Sequence, residues 1–437
     1  MNIEETQDWF STLRRFGIKP GLERTTRVLA ALGNPEKGLR FYHVAGTNGK
    51  GSVCAMLSAM LRATGARVGV YTSPGLAGFN GRMTIDGQRI EDDEFARYAA
   101  CVRDVMEADG GEDPLTEFEV LTVMALLYFA AAAVDVVVWE TGLGGRYDAT
   151  NVVTPCVTAI TNVSYDHVQI LGPTLTDIAF DKAGIIKHGV PVVTGADGEA
   201  YRMIEQVAKT QGAPLMRLTR DFSLVRTGQT GLSQTGYYRG LHRDTAEVNL
   251  SLFGRHQLAN AAVALAMLET QIDNRETDHW ARAIAALPTV RWPLRFEVFR
   301  GASGPVVLDG AHNPGAAFQL SRALTDFSVS QGSQNEWSML IGVLADKDVT
   351  PMLRSMLPHA KDVIICRPNH VRGADPADIR ASVHMLRPDL PVRVIENVHE
   401  ATSVAVREAD ALVIWGSLYM VEQARETISK LEMNYWI

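Results

Sequence analysis

The chain has 437 residues, more than one ordinary core accommodates, so two or three domains are expected. Hydrophobic residues make up 46% and charged residues 21%, which places the chain among folded globular proteins and excludes a disordered one. A formal net charge of −8 leaves no basic footprint for nucleic acid.

No apolar stretch reaches membrane-spanning length. Phe129–Val138 comes closest, but Asp135 interrupts it and Glu140 follows it. The N-terminus, Met1-Asn2-Ile3-Glu4-Glu5, is acidic and lacks a signal pattern. The four cysteines, Cys54, Cys101, Cys156 and Cys366, are scattered without metal-ligand spacing. A cytoplasmic protein with no membrane partner is expected.

In chain order, the first informative segment is His43-Val44-Ala45-Gly46-Thr47-Asn48-Gly49-Lys50-Gly51-Ser52. An apolar run, Phe41 to Ala45, enters a glycine-rich turn. A helical pattern follows, with Val53, Met56, Leu57, Met60 and Leu61 on one face and Gly65 as its stop. Strand, loop and helix in that order make a phosphate cradle. Glycines let N–H groups approach anionic oxygens, the helix start adds partial positive charge, and Lys50 adds a full one. Ser52 is placed like the hydroxyl that holds Mg²⁺ beside phosphates. The loop departs from G-x-x-x-x-G-K-[ST] at Ala45 and by the insertion of Gly51. The alternative is an ordinary turn that happens to contain a lysine.

Up to about Gly195, buried-strand patterns alternate with helical ones: Val68–Tyr71, Val134–Trp139, Val157–Val163 and Pro191–Val193 are short and β-branched. That alternation predicts a mostly parallel sheet with helices on both faces. Thr116-Glu117-Phe118-Glu119 has capping-box spacing and opens a helix towards Ala132. The loops after Ala45, Tyr71, Trp139 and Val163 are expected to converge, because ligands of such sheets sit beyond the strands' carboxyl ends. Thr72-Ser73-Pro74 puts a hydroxyl near the cradle, or is merely a turn. Glu140, followed by Gly142-Leu143-Gly144-Gly145-Arg146, is suited to ordering Mg²⁺ or its water shell. His167 after Asp166 reads more readily as a structural histidine than as a metal ligand. By composition alone Lys182 reads as a surface lysine pairing with Asp181.

From Asp221 to Phe253 the pattern weakens into short alternating runs, expected to form a small antiparallel patch on the first domain. His256 to Glu269 resumes as a helix. Two prolines near Trp292-Pro293 mark the boundary, which divides the chain into 1–293 and 294–437. Beyond it a second α/β alternation predicts strands at Val306–Leu308, Ser338–Val343, Val363–Ile365, Val392–Val394 and Ala411–Trp415. Asp309, before Gly310, is placed to hold a ribose or a cation, or is a turn former. Gly416-Ser417-Leu418-Tyr419 offers a hydroxyl and N–H groups to a small anion.

These strings together resemble the folylpolyglutamate synthase/dihydrofolate synthase family, a branch of the Mur ligase superfamily. The resemblance runs from Phe16-Gly17-Ile18-Lys19-Pro20-Gly21-Leu22 and His43–Ser52 through Thr72–Pro74, Phe79-Asn80, Thr116–Glu119, Glu140–Asn151, Asp166-His167 and Lys182–Ile185. It continues with His256-Gln257, Asn260, Asp309–Pro314, Ala345–Asp348 and Gly416–Tyr419. It implies an α/β protein, a P-loop domain followed by a smaller Rossmann-like glutamate-ligase domain, using ATP and Mg²⁺.

By match, Gly49, Lys50, Gly51 and Ser52 would bind the ATP phosphates. Ser73 and Glu140 would hold one Mg²⁺, and Glu140, His167 and a carbamylated Lys182 a second. Asn260, Arg295 and Asp309 would touch the nucleotide. His312 and Ser417 would lie towards L-glutamate, and Thr116 and Phe118 towards the folate. Lys50, Lys182, His312 and Arg295 would serve catalysis. The implied reaction is ATP-dependent addition of L-glutamate to a reduced folate through an acyl phosphate, with dihydropteroate as an alternative acceptor, by a monomer.

Three positions depart from the family strings. Gly75 and Gly81 stand where many relatives have His and Glu, and Leu294 replaces Gly in Trp292–Glu297. Two rival readings are a P-loop NTPase or kinase and a catalytically inactive nucleotide-binding regulatory module.

Overall fold

The computed structural model describes residues 1–436 except 14–16, 18, 76–77, 109, 111–112, 244–246, 274–275 and 333–335. Phe16 and Ile18 of the first matching string therefore lie outside the described residues. The chain divides into two compact units, one of residues 1–225, 237–248 and 259–287, the other of 226–236, 249–258 and 288–437.

In the first unit, apolar runs without polar alternation become central strands buried on both faces, as a parallel sheet requires, flanked by short edge strands that are more exposed. These are β1 (Phe41–Ala45), β2 (Val68–Tyr71), β3 (Met83–Ile85), β4 (Gln88–Arg89), β5 (Val136–Glu140), β6 (Val157–Ile160), β7 (Val192–Thr194) and β8 (Leu215–Arg217). Their order is β4-β3-β2-β5-β1-β6-β7-β8, with β3 antiparallel to both of its neighbours and every other pair parallel. β1 is parallel to β5 and β6, with Val44 opposite Glu140 and Ala45 opposite Ile160. The chain leaves β1 towards β2 and leaves β5 towards β6, in opposite directions. A crevice therefore opens beyond the carboxyl ends of β1 and β5, where the Gly46 loop and Glu140 lie.

Two helices frame that crevice. Lys50–Ala63 starts directly on the glycine-rich loop. Glu117–Ala131 starts at Thr116 with the expected capping box, in which Glu119 Oε2 accepts the Thr116 N–H at 2.7 Å. Its buried residues lie on all sides of the helix, as in the centre of a layer.

The expected patch is a three-stranded sheet, ordered β11-β10-β9, of β9 (Ser223–Thr230), β10 (Ser233–Arg239) and β11 (Glu247–Leu250). Its residues are shared between the two units rather than falling in the first. The second unit's sheet contains β12 (Glu297–Arg300), β13 (Pro305–Leu308), β14 (Trp337–Ile341), β15 (Ala360–Ile365), β16 (Val392–Val394) and β17 (Leu412–Trp415). The order is β12-β13-β17-β14-β15-β16. All its pairs are parallel except the edge pair β12–β13. Its core includes Phe253, Phe296 and Phe327, with the Phe253 and Phe296 rings 4.8 Å apart. Among the described residues no helix is long and apolar enough to cross a membrane.

Candidate functional site

In the first unit the glycine-rich loop is pinned from the strand beside it. Thr47 N–H donates to the Asn162 carbonyl at 2.9 Å, and Asn162 Nδ2 and Thr161 Oγ1 donate to the Asn48 carbonyl at 2.7 and 2.6 Å. Gly49 caps the helix at φ 83°, and the Asn260 amide occupies the space a Cβ there would need. Only glycine serves both demands. The structure thus brings Asn260 to the loop, and Ser52 is buried in the helix's first turn.

Lys50 turns back over its own loop. Its Nζ donates to the carbonyls of Gly46, at 3.0 Å, and Thr47, at 3.3 Å. Lys182, the last residue of the helix Leu175–Lys182, also donates to the Gly46 carbonyl at 3.0 Å. It is 3% exposed, so the surface reading from composition is corrected. Asp181 does not hold it at the surface; its carboxylate accepts the Gly145 N–H at 2.9 Å. Burial first, and then Lys50, push the Lys182 amine down to about 7, against the pull of Asp181, Asp166 and Asp148. A large fraction is therefore neutral near physiological pH.

Glu140 ends β5 and is 3% exposed. Its Oε2 accepts the Ser73 N–H at 3.4 Å, and Ser73 Oγ accepts from Arg82 Nη1 at 3.4 Å. Ser73 and Glu140 are therefore neighbours, as the convergence of loops requires. His167 has a left-handed backbone at φ 50°, and its Nε2 is 3.8 Å from Asp166 Oδ1. Among the described residues no three His, Cys, Asp or Glu side chains gather into a metal cage. That donor set suits Mg²⁺, which takes one or two protein oxygens and keeps water and phosphate for the rest. An ammonium at Lys182 would not suit it, whereas an amine poised to lose its proton can become an anionic oxygen ligand.

Thr116 Oγ1 accepts the Glu119 N–H as a helix cap. Phe118 stands over Gly142, with the Arg82 guanidinium carbon 5.9 Å from its ring centre and the Tyr71 ring at 6.0 Å.

In the second unit Asp309 follows β13 and is 9% exposed. Its two oxygens accept the N–H groups of Phe296 and Ala311 at 2.9 Å each. Burial pushes its carboxyl up, and Arg295 opposes that shift. His256 lies in the field of Arg295 and is pushed down to about 4, chiefly by burial. His312 Nδ1 lies 2.8 Å from the Gly310 carbonyl. A carbonyl only accepts, so Nδ1 carries a proton and donates to it. Ser417, 2% exposed, caps the helix Leu418–Lys430 without a side-chain cap bond, and its buried Oγ has no hydrogen-bond partner among the described residues. A buried hydroxyl at a helix start is suited to a carboxylate.

Sequence reading missed the Gly46 carbonyl as the shared acceptor of two lysines, and a backbone atom carries no residue signal. It also missed Arg82 as the partner of Ser73, and Asn151, which ends the Glu140–Asn151 string and could have been questioned for that reason.

Two family models match: Mur ligase middle domain over residues 44–268, and Mur ligase, glutamate ligase domain over 294–418. A probable bifunctional folylpolyglutamate synthase/dihydropteroate synthase of Haloferax volcanii is 37% identical over 98% of this chain. The chain spans only 50% of that protein's length. A dihydrofolate synthase/folylpolyglutamate synthase of Bacillus subtilis is 33% identical over 97% of this chain and 99% of its own. A Yersinia pestis bifunctional folylpolyglutamate synthase/dihydrofolate synthase, solved with AMPPNP and Mn ion, superposes with TM-score 0.84 at 30% identity. It covers 98% of both chains. Motifs, sheet topology and matches along nearly the whole length agree: the chain belongs to the folylpolyglutamate synthase/dihydrofolate synthase family of the Mur ligase superfamily.

Proposed function

We propose that this protein is an ATP-dependent ligase that joins L-glutamate to a reduced folate, with dihydropteroate as an alternative acceptor. The observation that carries the reading is the pair Lys50 and Lys182 on one carbonyl at the root of a phosphate loop. The nucleotide and metal in the Yersinia relative's structure support ATP and a divalent metal here. Residues 1–293 are assigned to ATP binding and 294–437 to glutamate ligation, in a cytoplasmic monomer.

The chemistry is carboxylate activation. A folate carboxylate oxygen attacks the γ-phosphorus and ADP leaves, giving an acyl phosphate. The glutamate amine then attacks the acyl carbon, phosphate leaves with the bonding electrons, and the amine's proton passes to an acceptor. His312, oriented by its Nδ1 bond to the Gly310 carbonyl, is assigned to that last step. All the reacting partners are anions, so the reaction needs fixed positive charge. Lys50 supplies it at the phosphates once it turns from its own loop carbonyls. Mg²⁺, held by Glu140 and Ser73 with a second ion at Glu140, His167 and carbamylated Lys182, would neutralise the phosphate oxygens. Gly49, Gly51 and Ser52 offer N–H groups and a hydroxyl to the same oxygens. Asn260, Arg295 and Asp309 are assigned to the nucleotide, Ser417 to a carboxylate of glutamate, and Thr116 and Phe118 to the folate.

ADP release, measured with and without L-glutamate and a reduced folate, tests the reading. Release is expected only with both. Release with neither would favour an NTPase, and no release with both would favour a binding module.

A further inference from the structure

The segment that follows Glu140 and the turn that carries Lys182 are closed on each other, backbone against backbone. Arg146 N–H donates to the Asp181 carbonyl at 2.8 Å, and Gly145 N–H to Asp181 Oδ1 at 2.9 Å. Gly184 has no room for a side chain, because a Cβ would meet Arg146 Cα. Where two backbones approach so closely, their carbonyls are cut off from water and need internal donors.

Asn151 supplies them. Its Nδ2 donates to the Arg146 carbonyl at 2.9 Å and to the Gly184 carbonyl at 3.1 Å, one from each segment. Asn151 is 5% exposed. The opposite amide orientation would set Oδ1 against two carbonyl oxygens, so the donor arrangement is dictated by its surroundings. The Asn151 carbonyl in turn accepts from Lys187 Nζ at 3.1 Å, five residues beyond Lys182. Asn151 thus bonds the turn on one side of Lys182 to the loop that follows Glu140.

We propose that Asn151 is a positioning residue that holds Lys182 on the Gly46 carbonyl, and this rests on the reading of Lys182 as a group that ligation requires. Asn151 need not touch a substrate; it sets where the Lys182 amine stands. Without its two donors the turn keeps the Asp181 bonds to Gly145 and Arg146 but its Gly184 side loses its tie, and a displacement of about 1 Å at a reacting centre costs on the order of 10²-fold in rate.

The test is Asn151→Ala in the full chain. Acetylation of Lys182 is followed by mass spectrometry at fixed pH, without metal or nucleotide, against Lys209, whose side chain is 77% exposed. Lys182 labelling relative to Lys209 is expected to rise roughly fivefold with the melting temperature near that of the wild type, and kcat to fall ~10-fold or more with KM for ATP within about threefold. Unchanged Lys182 labelling in the folded variant would overturn the proposal, as would lost turnover carried entirely by KM for ATP. If Asn151→Ala does not fold, Asn151→Ser, which keeps one donor, decides by the same labelling ratio. Failure of the underlying reading looks different. Lys182→Met with full ligation would remove the role of Lys182, while the labelling would still show whether Asn151 fixes that side chain.

Discussion

Lys50 and Lys182 share one acceptor, the Gly46 carbonyl, each at 3.0 Å. Burial, and then the neighbouring Lys50 charge, push the Lys182 amine down to about 7. The arrangement couples Lys50 to the protonation of its neighbour. In Lys50→Ala the nearby positive charge is gone, so the Lys182 pKa rises, while burial still holds it below the ordinary lysine value. Lys50→Ala and Glu140→Ala should each lower ligation by ~10²-fold or more, as expected when a preorganised charge is removed. Turnover close to wild type in either folded variant would refute the assignment of the phosphate and metal groups.

A neutral Lys182 amine can attack CO₂, forming the N–C bond of a carbamate and releasing one proton. The product is an anionic oxygen ligand of the kind Mg²⁺ prefers. Lys182→Ala should lose activity and regain part of it with short-chain carboxylates that fill the vacated ligand position. An unmodified Lys182 in a well-resolved experimental structure prepared with bicarbonate at alkaline pH would contradict this.

Much of this site was legible in residue order. The glycine-rich strand–loop–helix, the capping box at Thr116 and the strand-end placement of Glu140, Asp309 and Ser417 follow from local pattern. The convergence of loops follows from the rule that ligands sit where strand connections diverge. Other features were not legible. The hairpin β3–β4 and the edge strands β8 and β12 are too short to carry a period. Lys182 read as a surface lysine because its acceptor lies 136 residues away, and no local pattern reports such a distance. The sheet of β9, β10 and β11 is made of short alternating runs that record which face is covered but not which unit each end joins.

Ser417 supplies the next test. Its buried Oγ has no hydrogen-bond partner among the described residues, an unfavourable state unless a ligand completes it. Ser417→Ala should raise KM for L-glutamate about tenfold and leave KM for ATP nearly unchanged, since loss of one hydrogen bond to a charged group is worth roughly 1.5–3 kcal/mol. An effect confined to ATP would show that the hydroxyl serves the nucleotide.

Folding of the first unit depends on a histidine kept neutral. Burial, and then Lys187, push His43 down to about 3, and its Nε2 lies 3.0 Å from Thr150 Oγ1. A folded value below the ordinary 6.5 means that the unfolded chain takes up the proton first as pH falls. Stability from this group is therefore complete above pH 6.5 and is lost progressively down to about pH 3. At pH 5 the loss is about 2 kcal/mol. Urea unfolding of His43→Gln should show a pH 7.5 to 5 dependence shallower than wild type by about that amount. Parallel dependences in the two proteins would place the acid sensitivity elsewhere.

Leu294 stands at φ 59°, in the left-handed region, and is fully buried. Its N–H donates to Glu297 Oε2 at 3.1 Å, and its carbonyl accepts from Gly310 N–H at 2.9 Å and Arg295 Nη1 at 3.0 Å. Those three bonds fix the peptide in a conformation that costs a residue with a Cβ roughly 1–2 kcal/mol. The leucine side chain more than offsets that cost, because truncating a buried leucine to alanine loses about 2–5 kcal/mol. Leu294→Gly removes the side chain and the backbone penalty together, whereas Leu294→Ala removes the side chain and keeps the penalty. Both variants should be less stable than wild type, with Leu294→Ala the worse by about 1 kcal/mol, the reverse of the usual Gly–Ala order. Denaturant midpoints at equal m-values read the comparison directly. An alanine variant as stable as the glycine variant would mean that the Leu294 backbone relaxes out of the left-handed region, and Arg295, held through the same peptide, would shift with it.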